Sequence, residues 1–374
     1  MTTFDRTDRS MVARWWWTID RWNMSALFIL MVFGAILILA ASPPVAERIG
    51  VDAFHFAERQ FLFLVPATAI LVSLSLLDPA QVRRAGLALM IVSVVLLIVT
   101  MLVAAKTKGA QRWIPLGVFS LQASEFAKPA LAITTAWLLA TGRHVPGFPG
   151  ILLSCALTAI VAGLLVLQPD FGTTVIVLAV WGSQLFLGGL PFLVVAAVAV
   201  AAVLGLFIGY QQVDYVRDRI NGFFNPESVD TYQIEMSLRS FQSGGLKGRG
   251  PGEGVIKDHL PDAHSDFIFA VGGEEFGLIA CLVLVSLYAF VALRGFVRLR
   301  DERDLFVLLA VAGLVIQFAV QAVVNMGVAL RLLPTTGMTL PFVSYGGSSL
   351  LAMAIGMGLM LALTRRRPNR GRPS

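Results

Sequence analysis

Apolar runs of membrane-spanning length recur along the whole 374-residue chain and leave it few ways to fold. A helix crossing a bilayer needs about 20 mostly apolar residues, because in hydrocarbon the backbone must satisfy its own hydrogen bonds. Ten such runs are predicted, at roughly 24–42, 60–77, 85–105, 127–141, 150–167, 172–188, 190–209, 267–293, 305–325 and 343–364. The fourth is short, and only Gly188-Gly189-Leu190-Pro191 separates the sixth from the seventh. The expected fold is an all-α polytopic membrane protein of about ten transmembrane helices. A segment 1–23 precedes the membrane domain 24–364, and a basic tail 365–374 follows it. Composition agrees: 57% of residues are hydrophobic and 14% charged, roughly half the charge of a soluble domain.

Basic residues orient the spans. With the N-terminus inside, the cytoplasmic segments hold Arg6, Arg9, Arg14 and Arg21; Arg83 and Arg84; Arg143; Arg294, Arg298, Arg300 and Arg303; and Arg365, Arg366, Arg367, Arg370 and Arg372. These short segments are where the positive-inside rule applies, so both termini are expected in the cytoplasm. Trp15, Trp16, Trp17 and Trp22 add an interfacial anchor. Residues 1–23 are mixed and charged, and the first apolar run ends in Ser42-Pro43-Pro44 with no small-residue cleavage pattern, so the N-terminus does not read as a removable signal. The net charge of +6 therefore reflects topology and anionic lipid rather than nucleic acid. Cys155 and Cys281 lie in apolar runs and read as packing residues.

Other basic residues collect outside, against that bias. Lys106, Lys108, Arg112 and Lys128 cluster around one outer segment. Arg217, Arg219, Arg239, Lys247, Arg249 and Lys257 share the large periplasmic loop 210–266, between helices 7 and 8. A tolerated, solvated loop is one reading; an anion-binding face for pyrophosphate is the other. Glycines around Lys247 and Arg249, from Ser243 to Gly254, suit backbone nests that grip an anion, although flexible loops look similar.

Acidic residues mark where this loop re-enters the membrane. Asp266 precedes Phe267-Ile268-Phe269, at the start of a predicted helix. It can cap that helix, or accept a proton from a sugar hydroxyl; the residues alone do not choose. Glu274 and Glu275 lie about 12–14 Å further along. Either they pair with a cation such as Lys128, or they face a functional cavity. Asp170 sits in a polar turn, Gln168-Pro169-Asp170-Phe171-Gly172. Ser344 belongs to Leu333–Ser349, whose Pro334 and Pro341 break helix and point to a cavity lining. Walker motifs and His/Cys metal sets are absent from the sequence, and His259 and His264 read as polar loop residues.

These stretches resemble the SEDS family (shape, elongation, division and sporulation proteins). Gln111-Arg112-Trp113, Ser124-Glu125-Phe126-Ala127-Lys128, Gln168–Gly172, Ser243–Leu246, Leu260–Glu275 and Leu332–Ser349 match in order. Pro261–Asp266, Gly273-Glu274-Glu275 and Leu333–Gly337 look like its division branch, FtsW, rather than the elongation branch, RodA. The resemblance implies ten helices and peptidoglycan glycosyltransferase activity on lipid II at the division septum of the bacterial inner membrane. It implies Asp266 as the catalytic residue. The implied partners are a class B penicillin-binding protein of the FtsI type and other divisome proteins. A divalent cation, Mg or Mn, is invoked for the family, but no metal site is spelled out here. Asp262 and Pro251 depart from the residues common at those positions. On this basis Arg112, Lys128, Arg217, Arg239 and Lys247 are expected to neutralise lipid pyrophosphates, with Asp170, Glu274, Glu275 and Ser344 in support. A lipid II flippase, an elongation polymerase and a non-catalytic divisome scaffold are the alternatives.

Overall fold

The computed structural model describes residues 10–104, 112–117, 119–190 and 232–366, with isolated positions between 191 and 231. Eleven α-helices can be followed among them. They are α1 (Met11–Thr18), α2 (Arg21–Ile49), α3 (His55–Ser75), α4 (Pro79–Val103), α5 (Ala123–His144), α6 (Gly150–Leu167), α7 (Phe171–Leu187), α8 (Tyr232–Gly244), α9 (Ile268–Val297), α10 (Leu305–Ala329) and α11 (Gly347–Leu363). Six of these, α2, α3, α4, α6, α9 and α10, are long and apolar enough to cross a membrane, and α7 and α11 are shorter apolar helices. The chain is thus a multi-pass, helical membrane protein. The predicted seventh span, 190–209, lies largely outside the described residues, as do Lys106, Lys108 and Arg219.

α5 is the hub. It packs against α4, α6, α7, α10 and α11, and most of its side chains are buried. Its run looked short in sequence because it faces protein rather than lipid. A helix so placed can carry Glu125, Lys128, Thr134 and Thr135 among its apolar residues. By contrast, α3 turns Leu62 and Val65 outward, as a lipid-facing helix should.

One expectation is corrected. The first span does not stop at Ser42: α2 continues through Pro43 and Pro44 to Ile49. Proline removes an N–H, and the backbone tolerates this where other groups satisfy the freed carbonyls. Pro44 leaves the Ala40 carbonyl without its i+4 donor, and the Lys257 ammonium donates to that oxygen at 3.0 Å. Among the described residues the fold is all-α as expected, apart from one short turn of β-structure. Ile114–Pro115 (β1) and Ser120–Leu121 (β2) form a small antiparallel hairpin, with Ile114 opposite Leu121.

One end of the bundle is tied by charge. Asp20 is fully buried, caps α2 through the Asn23 N–H, and accepts from Arg294 and Arg298 at 2.8 Å each. Burial disfavours its ionised form, but the two guanidiniums outweigh that and hold the carboxyl below its ordinary value. At the same end Arg365 donates to Thr18 and to the Leu76 carbonyl, locking the end of α11 against α1 and α3.

Candidate functional site

At the opposite end the loops enclose a cavity of about 420 Å³, within the size range of ligand sites. Asp266, Asp262, His264, Arg112, Arg59 and Glu125 all line it. Three carboxylates and two guanidiniums thus converge beside the aromatic rings of Phe63, Trp113 and Phe119. Such a wall can hold a sugar against aromatic faces while cations meet phosphate.

Asp266 reaches the cavity because its backbone is held, not because it caps a helix. The N-cap of α9 is Phe267, which has no side-chain cap bond. The Asn325 amide of α10 donates to the Asp266 carbonyl (2.9 Å) and to that of Met338 (2.6 Å). Ser344 Oγ donates to the Ser265 carbonyl at 2.6 Å, and the Tyr345 N–H donates to the His264 carbonyl at 2.9 Å. Ser344 also accepts from the Leu340 N–H (2.8 Å). The 333–349 stretch is therefore stitched to the segment carrying Asp266. His264 packs in a triangle of rings with Phe56, 4.2 Å between ring centres, and Tyr345, which also touch each other. Burial, aided by the Arg48 charge and opposed by Asp262, pushes its pKa down to about 4, so the ring is neutral at neutral pH.

The predicted cations divide. Arg112 lines the cavity, donates to the Pro169 carbonyl, and lies 3.9 Å from Asp170. Asp170 itself is buried and caps α7 through the Thr173 N–H. Lys128 is buried behind Glu125, bonded to Glu125 Oε1 (2.9 Å) and Gln321 Oε1 (2.7 Å). Arg239 and Lys247 sit on exposed surface outside the cavity wall. Arg217 donates to the Gln211 carbonyl and is likewise not part of that wall.

Glu274 and Glu275 have a different setting. Glu274 accepts from the backbone N–H groups of Val255, Ile256 and Lys257 at 2.8–2.9 Å. Glu275 pairs with Lys257, not with Lys128. Beside them α9 breaks at Gly277, with φ 74° and ψ −174°. The glycine-rich loop inserts there: Arg249 and Gly250 donate to the carbonyls of Glu274 and Glu275, and Leu278 donates to that of Gly245. A Cβ on Gly277 would lie 2.3 Å from the Gly248 nitrogen. These backbone groups grip the chain's own helix instead of an anion.

Arg59 and the amides of α10 were missed in the sequence, yet both left a signal. Phe56, Arg59, Gln60 and Phe63 share one face of α3 at helical spacing. Gln317, Gln321 and Asn325 form a buried polar stripe every four residues along α10.

A family model described as cell cycle protein (FtsW, RodA, SpoVE) matches residues 21–369. The chain belongs to this family. It is 41% identical over 366 residues to the probable peptidoglycan glycosyltransferase FtsW of Caulobacter vibrioides, covering 98% of this chain and 94% of that one. With the FtsW of Halothiobacillus neapolitanus it shares 35% over 361 residues, covering 92% and 85%. Among solved structures, it superposes with a TM-score of 0.75 on a chain of a peptidoglycan synthase complex that coordinates polymerization and crosslinking. That match is 28% identical and covers 92% of this chain and 97% of the other. Thermus thermophilus RodA matches with a TM-score of 0.69 at 27% identity, covering 93% and 97%.

Proposed function

We propose that this member of the family is the peptidoglycan glycosyltransferase of septal wall synthesis, polymerising lipid II at the outer face of the bacterial inner membrane. Its FtsW relatives support the activity and the division role. The observation that carries the chemistry is Asp266 lining one cavity with Arg59 and Arg112. Ten spans with both termini cytoplasmic are part of the same proposal. In support, Arg83, Arg143, Arg294 and Arg365 belong to the end of the bundle opposite this cavity, as the positive-inside rule requires.

In the proposed reaction Asp266 accepts the proton of the sugar 4-hydroxyl of a lipid II acceptor. The oxygen attacks the anomeric carbon of the lipid-linked chain from the face opposite its pyrophosphate. The bond from that carbon to the pyrophosphate oxygen breaks, undecaprenyl pyrophosphate leaves, and the configuration inverts. Arg112 and Arg59 stabilise the charge growing on the leaving group. Lys128 acts through Glu125, and Asp170 holds Arg112 in place. Arg217, Arg239 and Lys247 draw the anionic substrate towards the cavity over longer range. Among the described residues no group of three or more acidic, His or Cys side chains is placed to hold a metal. Two cavity carboxylates with substrate phosphates would suit Mg or Mn, and no step above is routed through one. A class B penicillin-binding protein of the FtsI type is the proposed partner, in line with the synthase complex the fold resembles.

Polymerisation of lipid II in detergent, where no transbilayer step exists, tests this reading directly. The purified chain with its partner should make glycan, and Asp266→Asn should not. A chain that moves lipid II across vesicles but makes no glycan in detergent would be a flippase instead.

A further inference from the structure

We propose that the end of the bundle opposite the catalytic cavity holds a dedicated site for the headgroup phosphate of an anionic phospholipid, between α4, α5 and α10. A cavity of about 460 Å³ lies there, lined by Arg83, Arg303, His144, Trp137, Asp304 and Phe306 among others. It is separate from the reaction centre: α5 has Glu125 at the cavity above and His144 here, nearly its full length apart.

Four arginines at this end are occupied by the protein. Arg294 and Arg298 hold Asp20, Arg143 donates to the carbonyls of Gly188 and Gly189, and Arg365 donates to Thr18 and Leu76. Arg83 is different. Its guanidinium lies over the Phe306 ring, 4.7 Å from the centre. Its Nε is buried and lacks any hydrogen-bond partner. Nε faces protein, so a bound anion meets the terminal nitrogens of the same guanidinium, which lines the cavity.

The surrounding charges select an anion. Arg303 lies on the exposed rim. Among the described residues of the wall the one carboxylate, Asp304, caps α10 by accepting from the N–H groups of Phe306 (3.0 Å) and Val307 (3.4 Å). Trp137 brings an indole N–H, a donor only, at the depth where such rings mark the headgroup layer. A phosphate in this cavity meets the Arg83 and Arg303 guanidiniums that line it, and the adjoining apolar helices accommodate the acyl chains. The site stands whether or not Asp266 is the catalytic base.

Native mass spectrometry of the purified full-length chain, titrated with phosphatidylglycerol or phosphatidylcholine, tests it. Phosphatidylglycerol should bind in preference, and Arg83→Ala and Arg303→Ala should each weaken it about fivefold, as expected for one arginine at an anionic surface. Arg300→Ala removes the same charge from an exposed position outside this cavity and should leave binding unchanged. If Arg83→Ala does not fold, the exposed Arg303→Ala carries the comparison with Arg300→Ala. Equal losses in the Arg303 and Arg300 variants would reduce the effect to bulk charge and overturn the site. Equal binding of the two lipids, or displacement of phosphatidylglycerol by millimolar inorganic phosphate, would overturn the lipid assignment.

Discussion

Asp266 and the pair Glu274–Glu275 are separated by less than ten residues, yet they occupy opposite kinds of environment. Every oxygen of Glu274 meets a backbone N–H, and Glu275 meets the buried ammonium of Lys257. Together they close the glycine-rich loop onto the broken helix α9 and onto the Ala40 carbonyl that Pro44 leaves open. Asp266 instead faces a cavity, with the order supplied through its backbone by Asn325. A carboxylate whose partners are all internal holds structure. One whose backbone is held while its side chain lines a cavity is placed for chemistry.

The largest test of this contrast is Asp266→Asn, expected to lower lipid II polymerisation by about 10²–10⁴-fold while the thermal unfolding midpoint in detergent stays near that of the parent. Wild-type turnover would remove the base from the mechanism. Glu275→Ala should do the reverse. Stranding buried Lys257 costs about 3–5 kcal/mol of stability, and activity should fall only as the folded fraction falls. Glu275→Gln with Lys257→Met should recover much of the loss, and failure to recover would mean that the pair does more than hold the loop.

Asn325→Ala sharpens the boundary between the two. It should lower kcat by about 10–10² through misplacement of Asp266, with KM little changed. A rise in KM alone would assign Asn325 to substrate binding. The smallest effect is on pH dependence. With the His264 pKa depressed to about 4, the unfolded state takes up a proton below its ordinary value of about 6.5 and the folded state does not. Stability contributed here is intact above pH 6.5 and declines as pH falls towards 4, by about 1 kcal/mol at pH 5.5. His264→Gln should flatten that limb of an unfolding-versus-pH curve, and an unchanged limb would show that His264 does not contribute to it.

Much of the site was legible in the chain because the polar residues interrupt apolar runs. Asp266, Arg112, Asp170 and Ser344 all lie in such interruptions. Arg59 was not legible as a site residue, since one arginine at the end of a span resembles any interfacial anchor. Lys247 and the glycines around it read as an anion nest because local sequence shows backbone freedom but not its partner. That partner is α9, broken at Gly277 and close in space. Pro43-Pro44 read as a helix end for the same reason: the rescuing ammonium comes from Lys257, more than 200 residues away.

The sequence by itself determined that this chain is helical and membrane-embedded and that its polar motifs gather between the apolar runs. Hydrocarbon imposes those features through length, apolarity and charge placement, all of which are local. Tertiary structure decided which charges are locked and which face the cavity. It paired Lys128 with Glu125 and Lys257 with Glu275, brought Arg59 beside Arg112, and left Asp266 on the cavity wall. Pairing in a low-dielectric interior depends on distances between helices remote in sequence, and no local pattern encodes them.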